Sequence, residues 1–208
     1  GHKVQLIAPQ LVKPYVKRGK NDAADAEALC EAMSRPTMRF VPVKTAEQQA
    51  ALMLVGLRDR LVRNRTQLAN AIRGYAAEFG LAGASGITHV PALLARIEAD
   101  VALPSLAREL FAMQAAEYAQ VQAKLAVVEA KLLAWHRADE RSRRLAGIPG
   151  IGPINALTIL AEAGDLRRFN HHRQFLKFCG LDLATCQSGT FRGRTKLSKY
   201  GNARLRRT

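Results

Sequence analysis

Acidic side chains are scarce in this sequence, cysteines scarcer still, and no apolar run is long enough to cross a bilayer as a helix. Seventeen Asp and Glu stand against 32 Lys and Arg in 208 residues, a formal charge of +15. That imbalance points to a polyanionic partner, most simply nucleic acid. A membrane-surface helix is disfavoured, because the basic stretches are broken by Gly and have no clean apolar face. The three cysteines, Cys30, Cys179 and Cys186, include no CxxC pair. Neither a zinc site nor a disulfide framework follows from them, and a reduced, cytoplasmic setting fits. No secretory leader is visible, although the sequence opens on Gly1. The Lys-Ser/Thr pair of a Walker loop is also missing.

What remains is a chain with 48% hydrophobic residues, too apolar for disorder and long enough for one or two domains with a core. Its charge is uneven. Residues 166–208 hold eleven Lys and Arg against Asp182 alone, and residues 1–20 hold five against none.

Val4-Gln5-Leu6-Ile7-Ala8 reads as a short strand ended by Pro9, followed by a basic turn or short helix over 10–18. In Gly19-Lys20-Asn21-Asp22-Ala23-Ala24-Asp25-Ala26, Asn21 or Asp22 is a natural helix N-cap. Asp22 and Asp25 then share a face one turn apart, and Leu29, Ala32 and Met33 are expected to continue it inward. On spacing alone the two acids complement the helix dipole; a bound cation is the alternative. Arg35-Pro36 ends this helix, and Phe40-Val41-Pro42-Val43 reads as an extended connector.

A long helical pattern covers 45–79, with Leu54, Leu61, Leu68 and Tyr75 every seven residues and Ile72 and Phe79 at the complementary positions. Arg58 and Arg65 interrupt that second seam. A Gly/Pro-punctuated crossover over 80–104 includes a short helix near 92–99. A second long helix is expected from a Ser105 cap, with a seam of Tyr118, Val121, Leu125, Val128, Leu132 and Trp135. The pair predicts an antiparallel hairpin, or arms that pair with a second chain.

At Ile148-Pro149-Gly150-Ile151-Gly152-Pro153 the register changes. Pro153 suits the first position of a helix over 154–163 that turns Ala156, Leu157 and Leu160 inward. Gly150 and Gly152 between two helical patterns match a helix-hairpin-helix, whose turn offers backbone amides to a phosphate. A short amphipathic helix over 167–179 follows, and the adjacent His171 and His172 point to different faces. In the stretch from Gln187-Ser188-Gly189 through Lys196-Leu197-Ser198-Lys199-Tyr200-Gly201-Asn202, small, hydroxylic and basic residues alternate as in a loop that grips a phosphodiester. A basic helix is expected to begin at 203–207.

Lys20-Asn21-Asp22-Ala23-Ala24-Asp25-Ala26, Ile148-Pro149-Gly150-Ile151-Gly152-Pro153, and the segment from Gly180-Leu181 to Gly201-Asn202, in this order and with long helices between, resemble the DEDD transposases of the insertion sequence 110 and 1111 class. The resemblance implies a mainly α chain in three parts. Residues 1–43 would be the C-terminal part of a RuvC-like, ribonuclease-H-like α/β domain, 44–141 a coiled-coil arm, and 142–208 a transposase domain with the helix-hairpin-helix. It implies that Asp22 and Asp25 are the last two acids of a site for Mg2+ or another divalent metal, the first two lying before Gly1, and that Ser188 is a serine nucleophile. DNA and a structured bridge RNA would be the partners of a bacterial, nucleoid-associated homo-oligomer. Gly150, Gly152, Arg192, Arg194, Lys196, Lys199 and Arg204 are the expected nucleic-acid contacts. Ser198 and Tyr200 are rival nucleophiles. Two other functions compete: a junction-type metal nuclease in which the serine is incidental, and a non-catalytic nucleic-acid-binding module.

Overall fold

Asn21 opens the first long helix, its Oδ1 accepting a hydrogen bond from the Ala24 amide at 2.7 Å. This is one contact in a computed structural model that describes residues 2, 4–17, 21–185 and 187–208. Gly1, Gly19, Lys20 and Cys186, named above, lie outside the described residues, as does residue 18 at the end of the 10–18 stretch. The chain divides into two compact units, Gly1–Ala46 and Glu47–Thr208. The 141/142 division expected from the sequence falls inside a helix of the second.

In the first unit, β1 (Leu6–Ile7) is followed by α1 (Pro9–Val12), a 3-10 turn, α2 (Asp22–Ser34) and β2 (Phe40–Val41). The stretch read as a connector is thus a strand: Leu6 lies opposite Val41 and Ile7 opposite Phe40, antiparallel. The face of α2 that packs inward differs from the expected one. Ala28 and Ala32 are buried against Val12, Ile7, Tyr15 and Met38, whereas Leu29 and Met33 are exposed. The i, i+4 pair of small residues lets α2 sit close over α1, and the larger side chains turn outward. The two ion pairs here, Lys17–Glu27 and Arg35–Glu31, lie at the surface.

The second unit is helical. α3 (Ala46–Glu78) and α5 (Ser105–Ala138) run antiparallel, joined across the far end by α4 (Val90–Ala99). Their direction is fixed by two side-chain pairs seven residues apart on each helix, Arg58 with Glu129 and Arg65 with Gln122. Of the two sequence-based alternatives, the hairpin is the one observed. Tyr118, Val121, Leu125, Val128 and Leu132 are all buried inside this chain, so the seam is covered by the chain's own helices. The strict heptad on α3 does not hold: Tyr75 is 57% exposed and Phe79 44%, and Leu61, Ala69, Ile72 and Ala76 carry the burial. A straight helix drifts against a seven-residue repeat, which moves the buried line off the heptad between Leu61 and Tyr75. Ser105 is the first helical residue rather than the cap; Pro104 precedes it without a side-chain cap.

α6 (Glu140–Ala146) and α7 (Pro153–Ala163) follow a sharp break at Asp139. Asp139 caps α6 through the Ser142 amide, and the fully buried Ser142 hydroxyl meets His136 Nδ1 at 2.7 Å, tying the break back to α5. Leu157 and Ala161 of α7 join the core of the hairpin. α8 (His172–Cys179) is shorter than expected, its first turn replaced by a 3-10 turn over Leu166–Arg168. The chain ends in a 3-10 turn, Leu205–Arg207, where a basic helix was expected.

Candidate nucleic-acid interface

Four two-residue strands near the C-terminus form two nested antiparallel pairs, together a ribbon. β3 (Leu183–Ala184) pairs with β6 (Lys196–Leu197), and nested inside them β4 (Gln187–Ser188) pairs with β5 (Phe191–Arg192). Leu183 faces Leu197 but Ser188 faces Phe191, so the register slips by one residue between the pairings, as at a bulge. At the tip Gly189 holds φ +57, the left-handed backbone a two-residue hairpin turn requires.

This ribbon gathers about half of the expected site residues. Ser188 lies next to the tip and is exposed, with Arg192, Arg194 and Lys196 exposed on the returning strand and Lys199 beyond it. Among the described residues no carboxylate pairs with these four cations. Asp182, the sole acid of the tail, accepts from the Ser198 hydroxyl at the ribbon's base. Ser198 is thus hydrogen-bonded at the base while Ser188 is exposed near the tip, and Tyr200 is exposed just after the ribbon.

The base of the ribbon is closed by two glycines. Gly180, at φ +73, ends α8, and a Cβ on Gly201 would lie 2.1 Å from the Gly180 nitrogen and 2.4 Å from the Phe178 carbonyl oxygen. Three backbone bonds accompany this approach: Ser198 to Asp182, Lys199 to Gly180 and Asn202 to Phe178, at 2.9, 3.1 and 2.7 Å. The pairing of the Gly180-Leu181 and Gly201-Asn202 motifs is therefore a backbone requirement. Both motifs stand out in the sequence, but their contact has no signal there.

Arg204 has a different setting from the other expected contacts. Its Nε donates to Asp59 Oδ2 of α3 at 2.8 Å and its Nη1 to Glu162 of α7. Asn202 donates to Glu162 at 2.6 Å, and its own Oδ1 accepts from the amides of Arg204 and Leu205. Sequence reading missed Asp59 and Glu162; Asp59 stood out only as an acid between Arg58 and Arg60, and Glu162 as the one charged residue of an otherwise uncharged helix.

The Gly150/Gly152 turn connects α6 to α7, with Pro153 at the first helical position. Gly150 needs its freedom for φ +89, whereas a Cβ at Gly152 would meet nothing within 4 Å. The turn is therefore open to an incoming group. Nearby, Asp139 and Asp165 are held below the usual carboxylate range, in each case chiefly by a hydrogen bond from an arginine, Arg141 and Arg167. Arg168 stacks on Phe169 and Phe178, 4.4 and 4.7 Å from their ring centres, and burial lowers its affinity for a proton.

Asp22 and Asp25 lie in the first turn of α2, in the other compact unit, and both are exposed. Among the described residues no group of three or more His, Cys, Asp or Glu is arranged to hold a metal. Two hard carboxylates still suit Mg2+, which takes one or two from a protein and completes its shell with water and phosphate. Among the described residues, no helix is long and apolar enough to cross a membrane.

Comparison with known proteins agrees at both ends. Residues 1–79 match a DEDD-type family of insertion sequence 110 transposases, and residues 142–208 match the transposase family of insertion sequences 116, 110 and 902. A Sinorhizobium fredii protein named as a transposase is 63% identical over 87% of this chain and 47% of its own length. The transposase for insertion sequence element IS1111A of Coxiella burnetii is 41% identical over 99% of this chain and 57% of its own. That for IS1328 of Yersinia enterocolitica is 37% identical over the whole chain and 62% of its own. The chain thus spans about half to three-fifths of the length of the curated relatives it matches. With a family match at each end and relatives aligned along nearly all of it, the chain belongs to the insertion sequence 110/1111 family of transposases.

Proposed function

We propose that this chain is part of a DNA transposase whose strand-joining step runs through Ser188. The observation that carries the reading is the ribbon: an exposed serine beside a glycine tip, with Arg192 on the facing strand and Arg194 and Lys196 following it, none of them paired with a carboxylate among the described residues. The Ser188 oxygen attacks a backbone phosphorus, a serine–phosphate bond forms, and the bond from phosphorus to one deoxyribose oxygen breaks. That oxygen takes up a proton and leaves as a hydroxyl. Because the phosphodiester is exchanged for another ester, a second DNA hydroxyl can reverse the step on a new strand, and no nucleotide hydrolysis is needed. The three cations stabilise charge on the phosphate oxygens, and the open Gly150/Gly152 turn and Lys199 hold neighbouring phosphates. Arg204 could reach a phosphate only by releasing Asp59 and Glu162.

Asp22 and Asp25 would hold the divalent metal, which when bound supplies Lewis-acid stabilisation of phosphate charge. A RuvC-like first domain, a helix-hairpin-helix at α6–α7, a bridge RNA and self-association belong to the same proposal. Self-association would use surfaces other than the buried seam of α5.

The test is a denaturing gel of labelled DNA incubated with a protein that extends this chain to the length of its relatives, with Mg2+ and the RNA of the element. A covalent adduct lost in Ser188→Ala, with DNA binding kept, is the expected result. An adduct that survives Ser188→Ala but not Ser198→Ala or Tyr200→Phe overturns the nucleophile. Strands cut with no adduct favour a metal nuclease, and binding alone favours a non-catalytic module.

A further inference from the structure

The basic residues of the last seventeen positions differ in what they touch. Arg192, Arg194 and Lys196 face solvent on the ribbon, whereas Arg204 and Arg206 are turned into the protein. Arg206 donates from Nη1 to the carbonyls of Cys179 and Lys199, both at 3.2 Å, bridging the two chain segments at the ribbon's base. A Cβ on Gly180 would lie 2.6 Å from that same nitrogen, so the guanidinium occupies the space a side chain would need. Two residues earlier, Arg204 reaches helices far apart in sequence, Asp59 on α3 and Glu162 on α7, and Glu162 also takes the Asn202 amide. Gly56 lies beside it, and a Cβ there would make an ordinary contact with Arg204 Nη2 at 3.5 Å.

We propose that Arg204, gripped by Asp59 and Glu162, is the positioning residue that locks the Ser188 ribbon to the helical body. The inference rests on the reading of Ser188 as nucleophile for its catalytic consequence, though not for the anchoring itself. The ribbon has no buried side chain of its own among the described residues, so its orientation is set where it leaves the body. There Arg204 bonds two carboxylates on two different helices through two different nitrogens, a two-point geometry that fixes the plane of the guanidinium. The Leu205 side chain, buried beside it, adds an apolar foot to the same anchor.

Hydrogen exchange on the 208-residue chain tests the anchor. The amides of Ser198, Lys199 and Asn202 report the ribbon's base, and that of Leu132 reports the helical core. Arg204→Ala is expected to speed exchange at the three base amides by about tenfold or more, with Leu132 unchanged, since local opening and global unfolding are separate equilibria. Arg204→Lys, which keeps the charge but not the fork, should restore part of the protection. If Arg204→Ala unfolds the core as well, Glu162→Gln decides: it keeps an acceptor for Asn202 and removes the charge that Arg204 meets. Base amides that exchange as in the wild type in Glu162→Gln overturn the proposal. So does Arg204→Ala with unchanged exchange and a loss of DNA affinity equal to that of Arg194→Ala, which would make Arg204 a phosphate contact. In the extended protein, Arg204→Ala should lower the adduct yield about tenfold at unchanged DNA affinity, the cost of a misplaced nucleophile. No adduct in the wild type sinks the serine reading and leaves the exchange result to decide the anchor.

Discussion

Arg58 of α3 donates from Nε to a carboxylate oxygen of Glu129 on α5 at 2.9 Å, and its Nη2 lies 2.9 Å from the same oxygen. One heptad away Arg65 reaches Gln122 at 3.2 Å. The two arginines that seemed to spoil a hydrophobic seam are the cross-ties that set the hairpin's direction. Both partners of the first pair are partly exposed, so its worth is modest, about 0.5–1 kcal/mol. Arg58→Glu should lower stability, and the swap Arg58→Glu with Glu129→Arg should recover it. Urea midpoints of the four proteins measure the coupling directly. Zero coupling would mean that the apolar seam alone fixes the pairing.

That seam gives a sharper contrast. Leu132 is fully buried and Leu125 nearly so, against residues of the same chain. Leu132→Ala should cost roughly 2–5 kcal/mol, and Leu132→Asp more, because a carboxylate would be buried without a partner. The unfolding midpoint of the unsubstituted chain should not move with protein concentration. A midpoint that rises with concentration would show the seam shared between copies.

These two cases mark what could be read before the structure. Helix positions were legible because their apolar spacing is long and regular, and Asn21 and Pro153 carry local signals that tertiary packing did not override. The inward face of α2 was not, since Ala28 and Ala32 were chosen by close approach to α1 while larger Leu29 and Met33 stayed outside. The ribbon was read as a loop, because two-residue strands with a one-residue slip have no periodicity to detect. The Arg204 anchor was invisible for a simpler reason, as Asp59 lies 145 residues away from it in the chain.

Glycines test the ribbon's base separately from the phosphate turn. Gly201→Ala should disrupt the base, because the new Cβ would collide with backbone at Gly180 and Phe178 that has no room to rotate away. Gly152→Val should fold normally, since the space beside Gly152 is open and its φ of −80 suits any residue. The second variant should still bind DNA more weakly, by blocking backbone approach at the turn. Amide exchange and filter binding, done on both, separate the effects; equal DNA affinity for Gly152→Val and the parent would remove the turn from the interface.

Asp139 makes the α5–α6 break sensitive to acid. Its carboxyl is held below the usual range, first by the Arg141 hydrogen bond, with the Ser142 and Arg141 amides adding to it against a smaller opposing effect of burial. A depressed folded value contributes stability above the unfolded pKa, about 3.9, and that contribution is lost as pH falls through the folded value. Stability should therefore drop more steeply below about pH 4 in the parent than in Asp139→Asn. Thermal melts across pH 2–6, compared between the two, read the difference. Superimposable acid limbs would show that the cap carries no charge-dependent stability.

The metal question can be put to Asp22 and Asp25 without any DNA chemistry. Both carboxylates are exposed in the first turn of α2, and Asn21, not an acid, caps the helix. Their charge is therefore not needed to hold the helix end, and replacing it should leave the fold intact. Two carboxylates with water completing the shell make a weak site for a hard cation, one that gains affinity when phosphate oxygens supply further ligands. Mn2+ can stand in for Mg2+, because its unpaired electrons broaden amide resonances near wherever it binds. In the 208-residue chain, broadening should centre on residues 22–28 and disappear in Asp25→Asn, while circular dichroism stays the same. Adding a short DNA duplex should lower the Mn2+ concentration needed for half-broadening. Broadening centred on other carboxylates, or undiminished in Asp22→Asn and Asp25→Asn alike, would mean that this pair only complements the helix dipole.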